Sequence, residues 1–276
     1  MNVILRYTVC NGENGFVADL LAENSNLSKI KIKKCISAGG LWIKSSKDGS
    51  RIKRVKRIKT SLNDGDRITL YYDDNALVEI AESPFVIYEN SHFGLWYKPV
   101  NILSQPSKYG DANSIDSIIK KIRNLNKDVF VVNRLDREAS GIIAIAYDKK
   151  AAALLSKMWQ NGSVKKSYQA VVSGVINEES GVISFLVEGK KSVTRFNRVK
   201  TDEDVTYVDV EIDTGRKHQI RRHFNQLGHP VMGDPLYGKN NSHKKGLMLA
   251  AIKLEFISPF DKRKIIAEVP EDKRLW

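Results

Sequence analysis

Asn133-Arg134-Leu135-Asp136-Arg137-Glu138-Ala139-Ser140-Gly141 interrupts two apolar runs, Val129 to Val132 before it and Ile142 to Tyr147 after it. Both flanks are short and rich in β-branched residues, so each predicts a strand and the stretch between them predicts a tight connection. Arg134, Asp136, Arg137 and Glu138 crowd that connection, where a plain link between core strands needs no charge. Taken alone, Asp136 also reads as a turn former paired with a neighbouring arginine.

Further segments of the same kind follow. Asp148 can cap a helix that runs through Trp159 and is closed by Gly162. Lys166-Ser167-Tyr168-Gln169-Ala170-Val171-Val172 predicts a strand that begins with cations and places one tyrosine at a strand edge. Val205 to Ile212 is another strand. Thr214-Gly215-Arg216-Lys217-His218-Gln219-Ile220-Arg221-Arg222-His223 leads into a helix over Arg216 to Leu227, with Ile220, Phe224 and Leu227 as its apolar face. Gly228-His229-Pro230 and Gly233-Asp234-Pro235-Leu236-Tyr237-Gly238 come next, then strands over Leu247 to Phe256 and Lys264 to Val269. Upstream, Phe85 to Tyr88 and Gly94 to Tyr97 are strand-like, Lys98-Pro99 punctuates the second, and Ile115, Ile118, Ile119 and Ile122 have helical spacing. Strands outnumber helices and mostly alternate. Residues 81–276 are therefore expected to form an α+β domain with a mixed, largely antiparallel sheet.

Residues 1–80 read as a smaller α/β module: a helix over Phe16 to Glu23, a second opened by Leu27-Ser28 and ended by Gly39-Gly40, a strand starting at Leu41-Trp42-Ile43, the turn Asp64-Gly65-Asp66 and a strand from Arg67 to Tyr72. In the second helix Ile30, Ile32 and Ile36 alternate with lysines. The acidic, polar stretch Asp73 to Glu82 is the expected linker. Charge is concentrated here: Ser28 to Thr60 holds twelve Lys or Arg against one acid, Asp48, and so carries +11 of the chain's net +13. Such a block attracts a polyanion through counterion release, and nucleic acid is the usual candidate. The alternative is a solvated basic face.

The rest of the composition narrows the class. A hydrophobic content of 42% supports a packed core. Cys10 and Cys35 are too few for a disulfide framework and are not spaced as zinc ligands. Met1 to Phe16 lacks the apolar core of a signal peptide, and no run approaches a membrane span, so a soluble, cytoplasmic monomer is expected. His218, His223 and His229 invite a metal, but no carboxylate or thiol ligand pattern accompanies them, and two sit among arginines that repel a cation.

Taken in order, the segments resemble the RluA-type family of RNA pseudouridine synthases. The family's His-Arg-Leu-Asp turn continuing to Ser-Gly matches Asn133 to Asp136 and Ser140-Gly141, its tyrosine strand matches Lys166 to Gly174, and its Thr-Gly-Arg-x-His-Gln-Ile-Arg stretch matches Thr214 to Arg221 throughout. Gly-His-Pro and Gly-Asp-x-x-Tyr-Gly follow. The resemblance spans Phe85 to Pro270. Residues 1–80 resemble the alpha-L RNA-binding motif, with Asp48-Gly49 standing in for its usual Asn-Gly turn. Departures are Asn133 for the motif histidine, Ala139 for a threonine, Asn101 and Gln105 for a glycine and a histidine after the Lys-Pro pair, and Ala250 for a histidine in the C-terminal strand.

The resemblance implies an isomerase that breaks the bond between uracil nitrogen 1 and the ribose, turns the base and rejoins it through carbon 5. No metal or redox cofactor is needed, and the target base must leave its stack. It implies Asp136 as the catalytic carboxylate, attacking the sugar or removing a sugar proton. A carboxylate in a partly dry pocket needs a cation to stay ionised, and by family position Arg221 supplies it. Tyr168 is expected to stack on the flipped base and Arg134 to fill the gap in the RNA. Arg137, Lys166, Arg216, His218 and Gln219 are expected to contact RNA near the site, and Lys29, Lys33 and Lys34 to do so from the basic module. The fused module points to large-subunit ribosomal RNA, with tRNA as the alternative. Two other readings compete: an RNA-binding or ribosome-assembly protein with a decayed site, and a glycosylase, which would need a water-activating group beyond Asp136.

Overall fold

The computed structural model describes residues 1–10, 15–47, 51–238 and 241–276, and the Asp48-Gly49 turn lies outside them. The chain divides into two units, residues 1–81 with 105–124 and residues 82–104 with 125–276. The sequence division at 80/81 leaves 105–124 with the larger part. In the structure this segment is tied to the smaller unit, where the N–H groups of Asp111 and Ala112 both donate to the carbonyl of Ala38.

The first unit is a four-stranded antiparallel sheet with helices against it. Its strands are β1 (Asn2–Thr8), β2 (Leu41–Lys44), β3 (Ile52–Val55) and β4 (Arg67–Asp73), in the order β1-β4-β2-β3. The helices are α1 (Val17–Glu23), α2 (Lys29–Ala38) and α3 (Ile115–Ile122). Ser28 caps α2 through its hydroxyl, and Gly39 closes it at φ 90, a left-handed conformation that glycine adopts without a Cβ clash. The helix sorts its residues by face: Ile32, Cys35 and Ile36 are buried against the sheet, while Lys29, Lys33 and Lys34 face outward. Ile30 lies on the outer side with the lysines and is 70% exposed. The sequence reading assigned no strand to β1 or β3. In β3 (Ile-Lys-Arg-Val) no residue is fully buried, so no apolar alternation marks it.

The second unit is built on one ten-stranded sheet. Its strands are β5 (Phe85–Glu89), β6 (Phe93–Lys98), β7 (Phe130–Val131), β8 (Ser140–Ala146), β9 (Lys165–Ser173), β10 (Ser180–Ile183), β11 (Thr194–Asp202), β12 (Val205–Ile212), β13 (Leu249–Ile257) and β14 (Lys264–Glu268). The main path runs β10-β11-β12-β9-β13-β8-β6-β5, with β7 beside β8 and β14 beside β13. Every pairing is antiparallel except β13 with β8, which is parallel. The expected α+β class and mixed, largely antiparallel sheet are therefore what the chain forms. Helix α4 (Lys149–Gln160) is capped by the Asp148 carboxylate and buries Ala151 and Leu155 in a core with Phe93, Leu95 and Ile142. Helix α5 (Gln219–Gln226) buries Ile220 and Phe224 in a second core with Val172, Val208 and Val210. It starts three residues later than expected because His218 sits at φ 54, outside helical space, and Leu227 is exposed rather than part of the apolar face.

Two features fix the connection between β7 and β8. Gly141 has φ 123, and a Cβ there would run into the backbone of Ala251 on β13, so only glycine permits the parallel pairing. Asn133 uses its side-chain oxygen to accept the Ala144 N–H at 2.8 Å, which stitches the start of the turn to β8.

Candidate active site

The turn between β7 and β8 carries Asp136, and α5 carries Arg221 to meet it. Arg221 is fully buried, and its Nη1 donates to Asp136 Oδ2 at 2.8 Å. Its Nε and Nη2 donate to the two oxygens of Asp234, both at 2.7 Å. One guanidinium thus bridges two carboxylates, with Asp234 on the closed side and Asp136, 22% exposed, on the open side. Burial opposes the positive charge of Arg221, but its hydrogen bonds to Asp234 and Asp136 outweigh this and hold it above the ordinary arginine value. Asp234 also takes the N–H groups of Leu236 and Tyr237 on Oδ1. Burial alone would raise its pKa; Arg221 and these N–H groups keep it below the usual carboxylate range.

Tyr168 lies on β9, paired on one side with Val210 and on the other with Ala251. Its strand is central in the sheet, not at an edge, because β12 and β13 flank it. The half-buried ring lines a cavity of about 80 Å³ together with Asp136, Arg134, Arg216, His218 and Leu249. Burial and the charge of Asp136 push the Tyr168 phenol upward, so it stays protonated at neutral pH.

His218 closes another side of the cavity. Tyr237 accepts from Arg222 Nε at 2.8 Å and shares a hydrogen bond with His218 Nδ1 at 3.1 Å. The other ring nitrogen, Nε2, faces Asp136 Oδ1 at 3.6 Å. Burial lowers the His218 pKa, with Arg221, Lys217 and Arg222 adding to it and Asp136 opposing. The left-handed backbone of His218 makes this placement possible. The loop before it is folded by Gln219, whose amide oxygen accepts from Thr214 and the Arg216 N–H while its nitrogen donates to Val193 and Thr194. Gln219 is buried and spends its amide on the protein.

The remaining sequence-predicted residues divide. Arg134 and Arg216 are exposed at the cavity wall. Arg137 pairs with Glu138 in its own turn at 2.9 Å. Lys166 lines a different depression and does not enter the Asp136 cavity. In the first unit Lys29 pairs with Asp19, and Lys33 and Lys34 are exposed. The three histidines go to separate partners, His223 to Ser192 and His229 to the Ser173 carbonyl.

Two residues with a part in the site escaped the sequence reading as contributors. Asp234 was visible only as part of a motif string. Lys98 was read as punctuation, yet its ammonium is fully buried and donates to the carbonyls of Pro99, Ile102 and Arg137 at 3.0, 3.0 and 3.4 Å. Burial pushes its pKa down to about 7, against the pull of Asp136 and Glu138. Its position right after an unbroken apolar strand was the available signal.

A family model described as RNA pseudouridylate synthase matches residues 92–226. A Bacillus subtilis (strain 168) protein described as the uncharacterized RNA pseudouridine synthase YjbO is 32% identical over 78% of this chain and 84% of its own. The chain belongs to the RluA family of RNA pseudouridine synthases. It is therefore an isomerase acting on uridine in RNA. The dual-specificity RNA pseudouridine synthase RluA of Vibrio cholerae is 35% identical over 55% of this synthase and 67% of that one. A solved structure, human RNA pseudouridylate synthase domain containing 1, shares the fold at a TM-score of 0.59 and 24% identity, covering 70% of this chain and 86% of that one. Among the described residues, no helix is long and apolar enough to cross a membrane.

Proposed function

We propose that Asp136 is the carboxylate that carries the isomerisation, and that the synthase acts in the cytoplasm on large-subunit ribosomal RNA, with tRNA as the alternative. The observation behind the catalytic assignment is the bridge from Asp136 to buried Arg221 at 2.8 Å, on the wall of a cavity that also presents Tyr168. The bridge keeps one carboxylate oxygen on Arg221 and leaves the other for the sugar. With its phenol protonated, Tyr168 offers a neutral aromatic face on which the turned base can stack. Arg134, exposed beside Asp136, is long enough to take the flipped nucleotide's place in the RNA. Arg216 and His218 line the approach. One carboxylate suffices, because no water has to be activated. The ribosomal reading rests on the basic first unit, whose Lys29, Lys33 and Lys34 sit on the outer face of α2 and supply phosphate contacts.

Forming the new carbon–carbon bond displaces the hydrogen on carbon 5 of uridine. RNA labelled there with tritium, taken from a strain lacking the gene, should release label to water with no added cofactor and in the presence of EDTA. Asp136→Asn should abolish release while leaving the melting curve and RNA affinity nearly unchanged. Turnover by that variant within about tenfold of wild type, a barrier change of about 1.4 kcal/mol or less, would remove Asp136 from the mechanism. Mapping pseudouridine by mass spectrometry in the same strain decides between ribosomal RNA and tRNA.

A further inference from the structure

Lys166 is 6% exposed, and its ammonium makes no hydrogen bond or ion pair among the described residues. A lysine this deeply placed normally carries a partner for its ammonium. Burial lowers its pKa, with the charge of Asp213 opposing. The side chain borders a depression of about 550 Å³ that is also lined by Lys165, Glu211, Asp213, Glu255 and Lys264. Each acid there already has a cation: Glu211 pairs with Lys165 at 3.1 Å, Asp213 with Arg195 at 2.9 Å and Glu255 with Lys264 at 2.9 Å. The Lys166 ammonium feels the charge of Asp213 but hydrogen-bonds to none of these acids.

Its position relative to the catalytic cavity gives that charge a use. Lys166 and Tyr168 are two residues apart on β9, so they share a face of the strand and lie about 7 Å apart along it. Ile212 borders both the depression and the cavity, so the two are neighbours. An RNA strand whose target base occupies the cavity beside Tyr168 runs its neighbouring backbone past Lys166. We propose that Lys166 and the depression form a subsite for a phosphodiester flanking the target uridine, outside the pocket where the base reacts. The subsite rests on the assignment of the Asp136 cavity as the place of the base.

The test uses the full chain and tritium-labelled total RNA from a strain lacking the gene. Lys166→Met keeps the buried stem and removes the charge; Lys166→Arg keeps the charge. With Lys166→Met, kcat/KM at low salt should fall about tenfold, and the slope of log kcat/KM against log salt should become shallower by about 0.7, the share of one phosphate contact on a single strand. Lys166→Arg should keep the wild-type slope. A Lys166→Met enzyme with the wild-type slope overturns the proposal, whatever its rate, since a lysine that only packs its stem has no reason to alter salt dependence. If Lys166→Met lowers the melting temperature too far to assay, Lys166→Gln replaces it, and the same slope decides. Failure of the wild-type enzyme to lose activity on Asp136→Asn counts against the cavity assignment instead, so the two readings fail separately.

Discussion

Replacing Asp234 with asparagine asks whether the buried side of the Arg221 bridge holds the site together. Arg221 makes two of its three carboxylate hydrogen bonds to Asp234, and both side chains are fully buried there. Asparagine keeps the shape, but its single oxygen is claimed by the N–H groups of Leu236 and Tyr237, which turns its NH2 toward Arg221 Nε, donor against donor. Stranding one member of a buried ion pair costs about 3–5 kcal/mol. Asp136 still compensates Arg221, which puts the loss at the lower end, about 3 kcal/mol. At roughly 2–4 °C per kcal/mol for a unit of this size, the melting temperature should fall by about 6–12 °C. The pH dependence gives a second reading. The Asp234 carboxyl is held below its ordinary range, so it contributes stability above its unfolded pKa of about 3.9 and loses it as the pH falls lower. The difference between wild type and Asp234→Asn should therefore be widest near neutrality and close below about pH 4. Calorimetric or circular-dichroism melts from pH 3 to 7 measure both. A midpoint within about 2 °C of wild type at pH 7, or a gap that persists unchanged to pH 3, refutes the argument.

Lys98 should show the same direction of pH dependence in a higher window. Its folded pKa is pushed down to about 7 by burial, while the unfolded chain keeps the proton to about 10.4, so the unfolded state binds more protons between these values. In urea unfolding, wild type should gain on Lys98→Met as the pH rises from 7 to 10, by at most about 1.4 kcal/mol per pH unit, and a flat difference would mean that the folded lysine keeps its proton and burial does not lower its pKa. Asn133→His should change tritium release by no more than about tenfold, because the position accepts one N–H from Ala144 and touches no reacting group; a large gain would point to an impaired natural turn. The double variant Lys33→Gln with Lys34→Gln should weaken RNA binding and take about 1.4–1.8 off the salt slope measured by fluorescence anisotropy, and an unchanged slope would mean that the outer face of α2 does not touch phosphate.

What could be read from the sequence follows from how local each signal is. Val205 to Ile212 and the helix capped by Asp148 carry their own instructions, an alternating run in one case and an N-cap before an amphipathic stretch in the other, and the structure places both as read. Strand β11 lacks such a signal because basic and polar residues occupy most of its positions, with Arg195, Asn197 and Lys200 outward and only Thr194 and Phe196 buried, while β3 and β10 are four residues each, too short to show an alternation. The start of α5 was misread because the decisive event, His218 turning left-handed under the hold of Gln219, depends on partners in the Val193–Thr194 segment. The triad of candidate catalytic residues, Asp136, Tyr168 and Arg221, could be named because each sits in a recognisable string. Asp234 as the second anchor of Arg221 could not, since the requirement appears only when a guanidinium is found with no solvent around it. The same holds for the isolation of Lys166, which is a property of its surroundings and leaves no mark on its neighbours in the chain.

The order of strands across the second sheet has a consequence for when this enzyme becomes competent. Strand β13 lies between β9, which carries Tyr168, and β8, which follows the Asp136 turn, and its Ala251 is the backbone against which Gly141 closes. It contributes none of the proposed catalytic side chains, yet it is what sets them side by side, and it is made more than a hundred residues after β8. Contacts so distant along the chain form late. A nascent chain halted before Leu249 already contains Asp136, Tyr168 and Arg221, and still lacks the spacer that brings two of them to one cavity.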